Sequence, residues 1–148
     1  MRRQTERMKK FSFQLEDVMK YREFLQTEAE TELGKALAAE HAVQTKLDDI
    51  GRQSVFVKNR MKGSTDFKAI SAAHNFYILL DQQKEYLLKQ MAEAKLVSEQ
   101  KRKALQDAMQ KTEALHKLRE RQLAEYHEEE NREEENAADD IATFRILK

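Results

Sequence analysis

The chain contains no cysteine, no proline and no tryptophan, and only three glycines. Without cysteine there are no disulfides, no thiolate metal sites and no cysteine nucleophile, an absence that fits a reducing compartment. Without proline, nothing in the sequence forces a helix to stop. No continuous apolar run is long enough to cross a bilayer. The basic start, Met1 to Lys10, resembles the first part of a signal peptide, but no apolar stretch or small-residue cleavage site follows it.

What remains is dominated by Ala, Glu, Lys, Leu, Gln and Arg, the residues that lose least on entering a helix. Charged residues make up 36% of the 148 positions, too many for a thick globular core. So charged a chain could instead be disordered, but disordered chains are rich in Pro, Gly and Ser, and this one is not. Formal charge balances to zero, so no global field steers the protein toward nucleic acid or an anionic membrane. The distribution is uneven: residues 1–10 form a basic extension, and 128–148 form an acidic tail with Glu128, Glu129, Glu130, Glu133, Glu134, Glu135, Asp139 and Asp140. Such runs read as solvated termini or as mutually attracting ends.

Between them, residues 11–127 carry a coiled-coil pattern. Leu15, Arg22, Ala29, Ala36, Val43, Ile50 and Val57 recur every seven residues, with Val18, Leu25 and Ala39 as an interleaved row. Arg22, Glu32 and Lys46 interrupt this stripe. Ser12 is a competent N-cap, which predicts a first helix from Phe11 or Ser12. Lys62-Gly63-Ser64-Thr65-Asp66 is the clear punctuation: glycine can end one helix, and Ser64 or Thr65 can cap the next. A second stripe then runs through Phe67, Ile70, Tyr77, Leu80, Leu87, Met91, Ala94, Leu105, Ala108, Leu115 and Tyr126, with Lys84, Ser98, Lys101, Thr112, Arg119 and Gln122 in the same rows. The prediction is an all-α protein, a long antiparallel two-helix coiled-coil hairpin with its turn near 62–66. A turn centred on Ser64 puts Leu47 near Leu80 and Leu15 near Thr112.

Chemistry has little purchase on such a rod. His41, His74, His116 and His127 have no second histidine three or four positions away, so they read as surface residues, and neither a metal nor any cofactor is expected. Carboxylates are plentiful, but a catalytic one needs a shaped or apolar pocket to shift its pKa. There is no glycine-rich phosphate loop and no nucleophile with an identifiable base, so no catalytic residues are assigned. Lys101, Arg102, Lys103, Lys111, Lys117, Arg119 and Arg121 approach a basic stripe, yet interspersed Glu and Gln make them the flanks of a seam rather than a nucleic-acid surface. Phe11 and Phe13 read as a staple of the helix start rather than a membrane insertion. Around the turn, Val55, Phe56, Val57, Phe67, Ile70, Phe76, Tyr77, Ile78, Leu79 and Leu80 concentrate aromatic and β-branched bulk, either as a tip core or as a docking patch.

Phe11-Ser12-Phe13-Gln14-Leu15-Glu16-Asp17-Val18, followed by Tyr21-Arg22 and Glu28-Ala29, resembles the opening of the FliJ family of flagellar type III export proteins. Gly63-Ser64 is similar to that family's hairpin turn, Phe76 to Asp81 to its aromatic stretch after the turn, and Asp139-Asp140-Ile141-Ala142 with Arg145 to its acidic ending. The basic residues ahead of Met8 extend beyond the family's usual start, making Met8 an alternative start. The resemblance implies a monomeric, non-enzymatic coiled coil that looks like the central stalk of rotary ATPases. Its partners would be the hexameric flagellar export ATPase, the cytoplasmic domain of the large export-gate membrane protein, and export chaperones, at the cytoplasmic face of the inner membrane at the flagellar base. On this reading Leu15, Val18, Arg22, Leu115, Arg119 and Tyr126 meet the ATPase ring. Phe56, Phe76, Leu80 and Leu87 contact the gate near the tip. A virulence injectisome stalk and a self-associating coiled-coil scaffold are the alternatives.

Overall fold

The computed structural model describes residues 10–147; the basic residues ahead of Lys10 and the final Lys148 lie outside the described residues. Two helices account for nearly all of it, α1 from Glu16–Met61 and α2 from Phe67–Leu147, and there is no strand among the described residues. They form an antiparallel helical hairpin. Glu16 and Asp17 lie in the first turn of α1, and Lys58 and Arg60 in its last, each charge opposed to the helix dipole end it faces. The acidic residues 128–140 continue α2 without a break.

Helix α1 starts later than Phe11 or Ser12. Residues 10–13 are not helical, the Phe13 carbonyl accepts a bond from the Glu16 N–H at 3.1 Å, and the first α-helical bond runs from the Met19 N–H to the Leu15 carbonyl at 2.8 Å. The reason is packing: Phe13 is only 5% exposed, and continuing the helix backwards through it would carry its side chain elsewhere. At the other end of α1, Gly63 has φ 76°, where a side chain is strained, and the Ser64 N–H donates to the Met61 carbonyl at 3.0 Å to close the turn. The cap of α2 is Asp66, not Ser64 or Thr65. Its Oδ1 accepts the Lys68 N–H at 3.1 Å, leaving α2 to begin at Phe67.

The hairpin divides into two compact units, Thr27–Gln106 and the described parts of the segments on either side of it. In the Thr27–Gln106 unit, Ile50, Leu80 and Leu87 form the buried cluster, with Val43, Leu47 and Phe76 packed against it. Ala36, Met91 and Ser98 are also buried. On α1 the buried rows are Ala29, Ala36, Val43, Ile50 and Val57 together with Leu33, Glu40, Leu47, Ser54 and Met61, alternating threes and fours as a coiled-coil seam requires. The second of these rows corrects the expected one: Ala39, Glu32 and Lys46 are exposed. Near the turn the α2 seam is Ala69, Ala73 and Phe76, whereas Phe67 is 80% exposed and Ile70 also faces out. Two helices converging on a short turn leave room for alanine but not for phenylalanine. Lys84 is exposed as well.

Polar pairs cross this unit's seam. The Tyr77 hydroxyl donates to the Ser54 carbonyl at 3.3 Å, Ser98 Oγ donates to Glu40 Oε1 at 3.0 Å, and Lys101 Nζ is 3.9 Å from Glu32 Oε2.

Candidate protein-binding surfaces

In the unit that contains the start of α1 and the end of α2, Phe13, Met19 and Thr112 are buried, and Thr112 turns its hydroxyl back to the Ala108 carbonyl at 2.9 Å. Arg22, Leu115, Arg119 and Tyr126 lie half-buried along the seam, while Leu15 and Val18 are exposed, Val18 at 43%. The expected pairing of Leu15 with Thr112 is displaced by about two to three helical turns, because Glu16 meets Arg119 and Glu23 meets His116. Helical side chains lean toward their own N-terminus, so in an antiparallel pair contacts join residues further along both helices than an even count from the turn suggests. Long Arg and Glu side chains extend the effect.

The charged contacts here have specific geometry. His116 Nε2 stands 2.9 Å from Glu23 Oε1, an ion pair whenever the imidazole is protonated. Arg119 Nε lies 3.5 Å from Glu16 Oε2, near enough for ionic attraction but outside hydrogen-bond geometry, and it is buried without a hydrogen-bond partner. The Arg119 guanidinium sits 5.7 Å from the centre of the Phe11 ring, and that ring is 5.6 Å from Tyr126. Burial, then the Glu130 carboxylate and then Glu133 hold the Tyr126 phenol above its ordinary value of 10.0, against a bond with the Phe11 backbone that pulls the other way. Sequence reasoning named Arg119 and Tyr126 but missed Phe11 and Glu16 as their neighbours. Only the shifted pairing brings these four together.

The four residues assigned to the tip separate by burial. Phe56 is 61% exposed, with Arg60 5.9 Å above its ring. Phe76 is half-buried at a shallow apolar groove of about 340 Å³ that it lines with Val57, Met61, Ala69 and Ala73. Leu80 and Leu87 are core: at 2% exposed, Leu80 is the most buried of the core side chains. A partner could touch them only by opening the hairpin. Val55, Phe67, Ile70, Ile78 and Leu79 supply the outward apolar surface of this region instead.

No group of His, Asp or Glu among the described residues is arranged to hold a metal, and no described helix is long and apolar enough to cross a membrane. What the surface offers is apolar and charged contact area along helices. The family pattern described as Flagellar FliJ protein matches residues 11–148. The chain belongs to the FliJ family. Membership makes it a component of the flagellar type III protein export apparatus. No curated protein and no solved structure matches the chain.

Proposed function

We propose that this FliJ-family chain acts as the coiled-coil stalk of the hexameric flagellar export ATPase, binding inside the ring, promoting its assembly and turnover, and linking it to the export gate. The observation that carries this reading is the run of exposed apolar side chains around the start of α1. Leu15, Val18, Tyr21 and Phe24 follow one another every three residues and are all exposed, in the unit whose seam also carries Arg22, Arg119 and Gln122. Exposed aromatic and aliphatic side chains flanked by arginine are the composition of a protein-binding hot spot. Leu15, Val18, Arg22, Leu115, Arg119 and Tyr126 then meet the ring, while the chain itself does no chemistry.

At the other contact, Phe56 and the exposed edge of Phe76 touch the cytoplasmic domain of the gate protein, and Leu80 and Leu87 support Phe76 from beneath. Export chaperones are further partners. The protein works as a monomer on the cytoplasmic side of the membrane, at the flagellar base. The test is the ATP hydrolysis rate of the flagellar export ATPase with and without this protein, and with the double variant Arg22→Glu, Arg119→Glu. Stimulation by the wild type that the variant loses supports the reading. Equal rates with all three samples would remove these residues, and the ring, from it.

A further inference from the structure

The described residues ahead of α1 are not helical, and they pack against the hairpin. Residues 10–13 cross to α2 as a short strap, fixed at one end by Phe13, which is buried and whose carbonyl accepts the Glu16 N–H. At its other end Phe11 is only half-buried. Its ring meets two α2 side chains, Tyr126 at 5.6 Å with the planes tilted by 55°, and Arg119 at 5.7 Å. Arg119 is thereby held with a buried Nε that has no hydrogen-bond partner, beside Glu16 at 3.5 Å. A guanidinium kept against an aromatic ring with one N–H unused has donor capacity that a better acceptor can claim.

We propose that residues 10–13 form a displaceable clasp that covers Arg119 and Tyr126 in the free protein and competes with the export ATPase for them. This inference rests on the reading that these two residues face the ring. Phe13 is the anchor and Phe11 the part that moves: an incoming carboxylate takes Arg119, and an incoming apolar or aromatic side chain takes the face of Tyr126 that Phe11 leaves. The clasp raises the concentration of stalk needed to engage the ring without changing the contacts made once engaged.

The experiment titrates the full-length protein into the export ATPase and reads the concentration that gives half-maximal stimulation, for wild type, Phe11→Ala and Phe11→Leu. The leucine variant keeps apolar bulk and loses the ring contacts, and so covers the case in which alanine disturbs folding. Both variants should reach the wild-type maximal rate, at a half-maximal concentration lower by about fivefold to sixtyfold, the range that losing one aromatic and one cation–π contact corresponds to. A half-maximal concentration that is unchanged or raised in Phe11→Leu, while the wild type stimulates, overturns the clasp and leaves the stalk standing. Absence of any stimulation by the wild type overturns the stalk reading and the clasp with it.

Discussion

Replacing Leu80 by alanine separates the core from the contact surface. Leu80 is 2% exposed and sits with Ile50 and Leu87, against which Val43, Leu47 and Phe76 pack. In a closed globular core, Leu→Ala costs about 2–5 kcal/mol, the spread reflecting how far the cavity collapses. A two-helix seam is flanked by water on both sides, so solvent reaches the vacated space and neighbouring side chains relax into it. The expected loss is therefore at the low end, ~2–3 kcal/mol. With a urea m-value of roughly 2 kcal/mol per M, that moves the midpoint down by about 1–1.5 M. Urea titration followed by far-ultraviolet circular dichroism measures it, with Phe56→Ala as the reference. Phe56 is 61% exposed, and its truncation should shift stability by no more than about 0.5 kcal/mol. A Leu80→Ala midpoint within error of wild type, or a Phe56→Ala loss as large as that of Leu80→Ala, would refute the burial argument. The comparison also bears on the gate: motility lost in Leu80→Ala should track lost helix, and motility lost in Phe56→Ala should not.

The glycines give changes of opposite sign. Gly34→Ala should raise stability by ~1 kcal/mol, since it lies inside α1 with open space around the position its Cβ would take, while Gly63→Ala should lower it by about 1–2 kcal/mol because of its positive φ; thermal melts that shift the same way would contradict this. Ser98 Oγ lies 3.0 Å from both Glu40 Oε1 and the Lys95 carbonyl, and its single proton serves one at a time. A double-mutant cycle of Ser98→Ala and Glu40→Ala should give a coupling of about 0.5–1 kcal/mol, and a value near zero would show that the proton goes to Lys95. The Tyr126 phenol should titrate above 10.0 in an ultraviolet difference titration of wild type against Tyr126→Phe. Because its folded-state value is raised, the stability it contributes is present below pH 10.0 and lost as pH climbs through the raised value, so Tyr126→Phe should lose less stability than wild type over that alkaline window. A midpoint at or below 10.0 would contradict it.

Two long helices and the hairpin were legible in the sequence because composition, the absence of proline and the heptad spacing all point one way. The pairing of rows on α1 was not. A row repeating every seven residues, such as Ala36, Val43 and Ile50, does not say whether its companion lies three or four positions on. The row with Val18, Leu25 and Ala39 is interrupted by Glu32 and Lys46, but the row actually buried is interrupted by Gln26, Glu40 and Ser54, so polarity alone could not choose. Met19, Leu33, Leu47 and Met61, all larger than alanine, were the available signal. On α2 both rows repeat cleanly from Leu87 to Tyr126, and there the reading and the burial agree. Near the turn, bulk misled: Phe67 and Ile70 attract a core assignment that the close approach of the helices gives to Ala69 and Ala73. The same limit applies to the surfaces. The family resemblance groups Phe76, Leu80 and Leu87, with Phe56 added by its place at the tip, and only packing separates the exposed Phe56 from the buried Leu80 and Leu87. Phe11 beside Tyr126 depends on a pairing between distant parts of the chain, which no local pattern encodes.

The polar residues within the seam have a structural logic of their own. A seam of uniform leucines could slide by one heptad with little change in burial, and a hairpin's register would then rest on the turn alone. Here a slip of seven residues along α2 would set Glu40 against Met91 or Leu105 in place of Ser98, and Glu16 against Thr112 or Tyr126 in place of Arg119. Glu40 then exchanges its hydroxyl donor for an apolar neighbour, and Glu16 exchanges a cation for a neutral hydroxyl, so each half-buried carboxylate is less well compensated, which is costly. The seam therefore gives up some apolar burial and gains a single defined pairing. On the proposed stalk reading, which sets Leu15, Val18 and Arg22 around the start of α1 beside Leu115, Arg119 and Tyr126 on α2, that pairing is the property the contact surface depends on, because a slip of one heptad would carry the second set about two helical turns past the first.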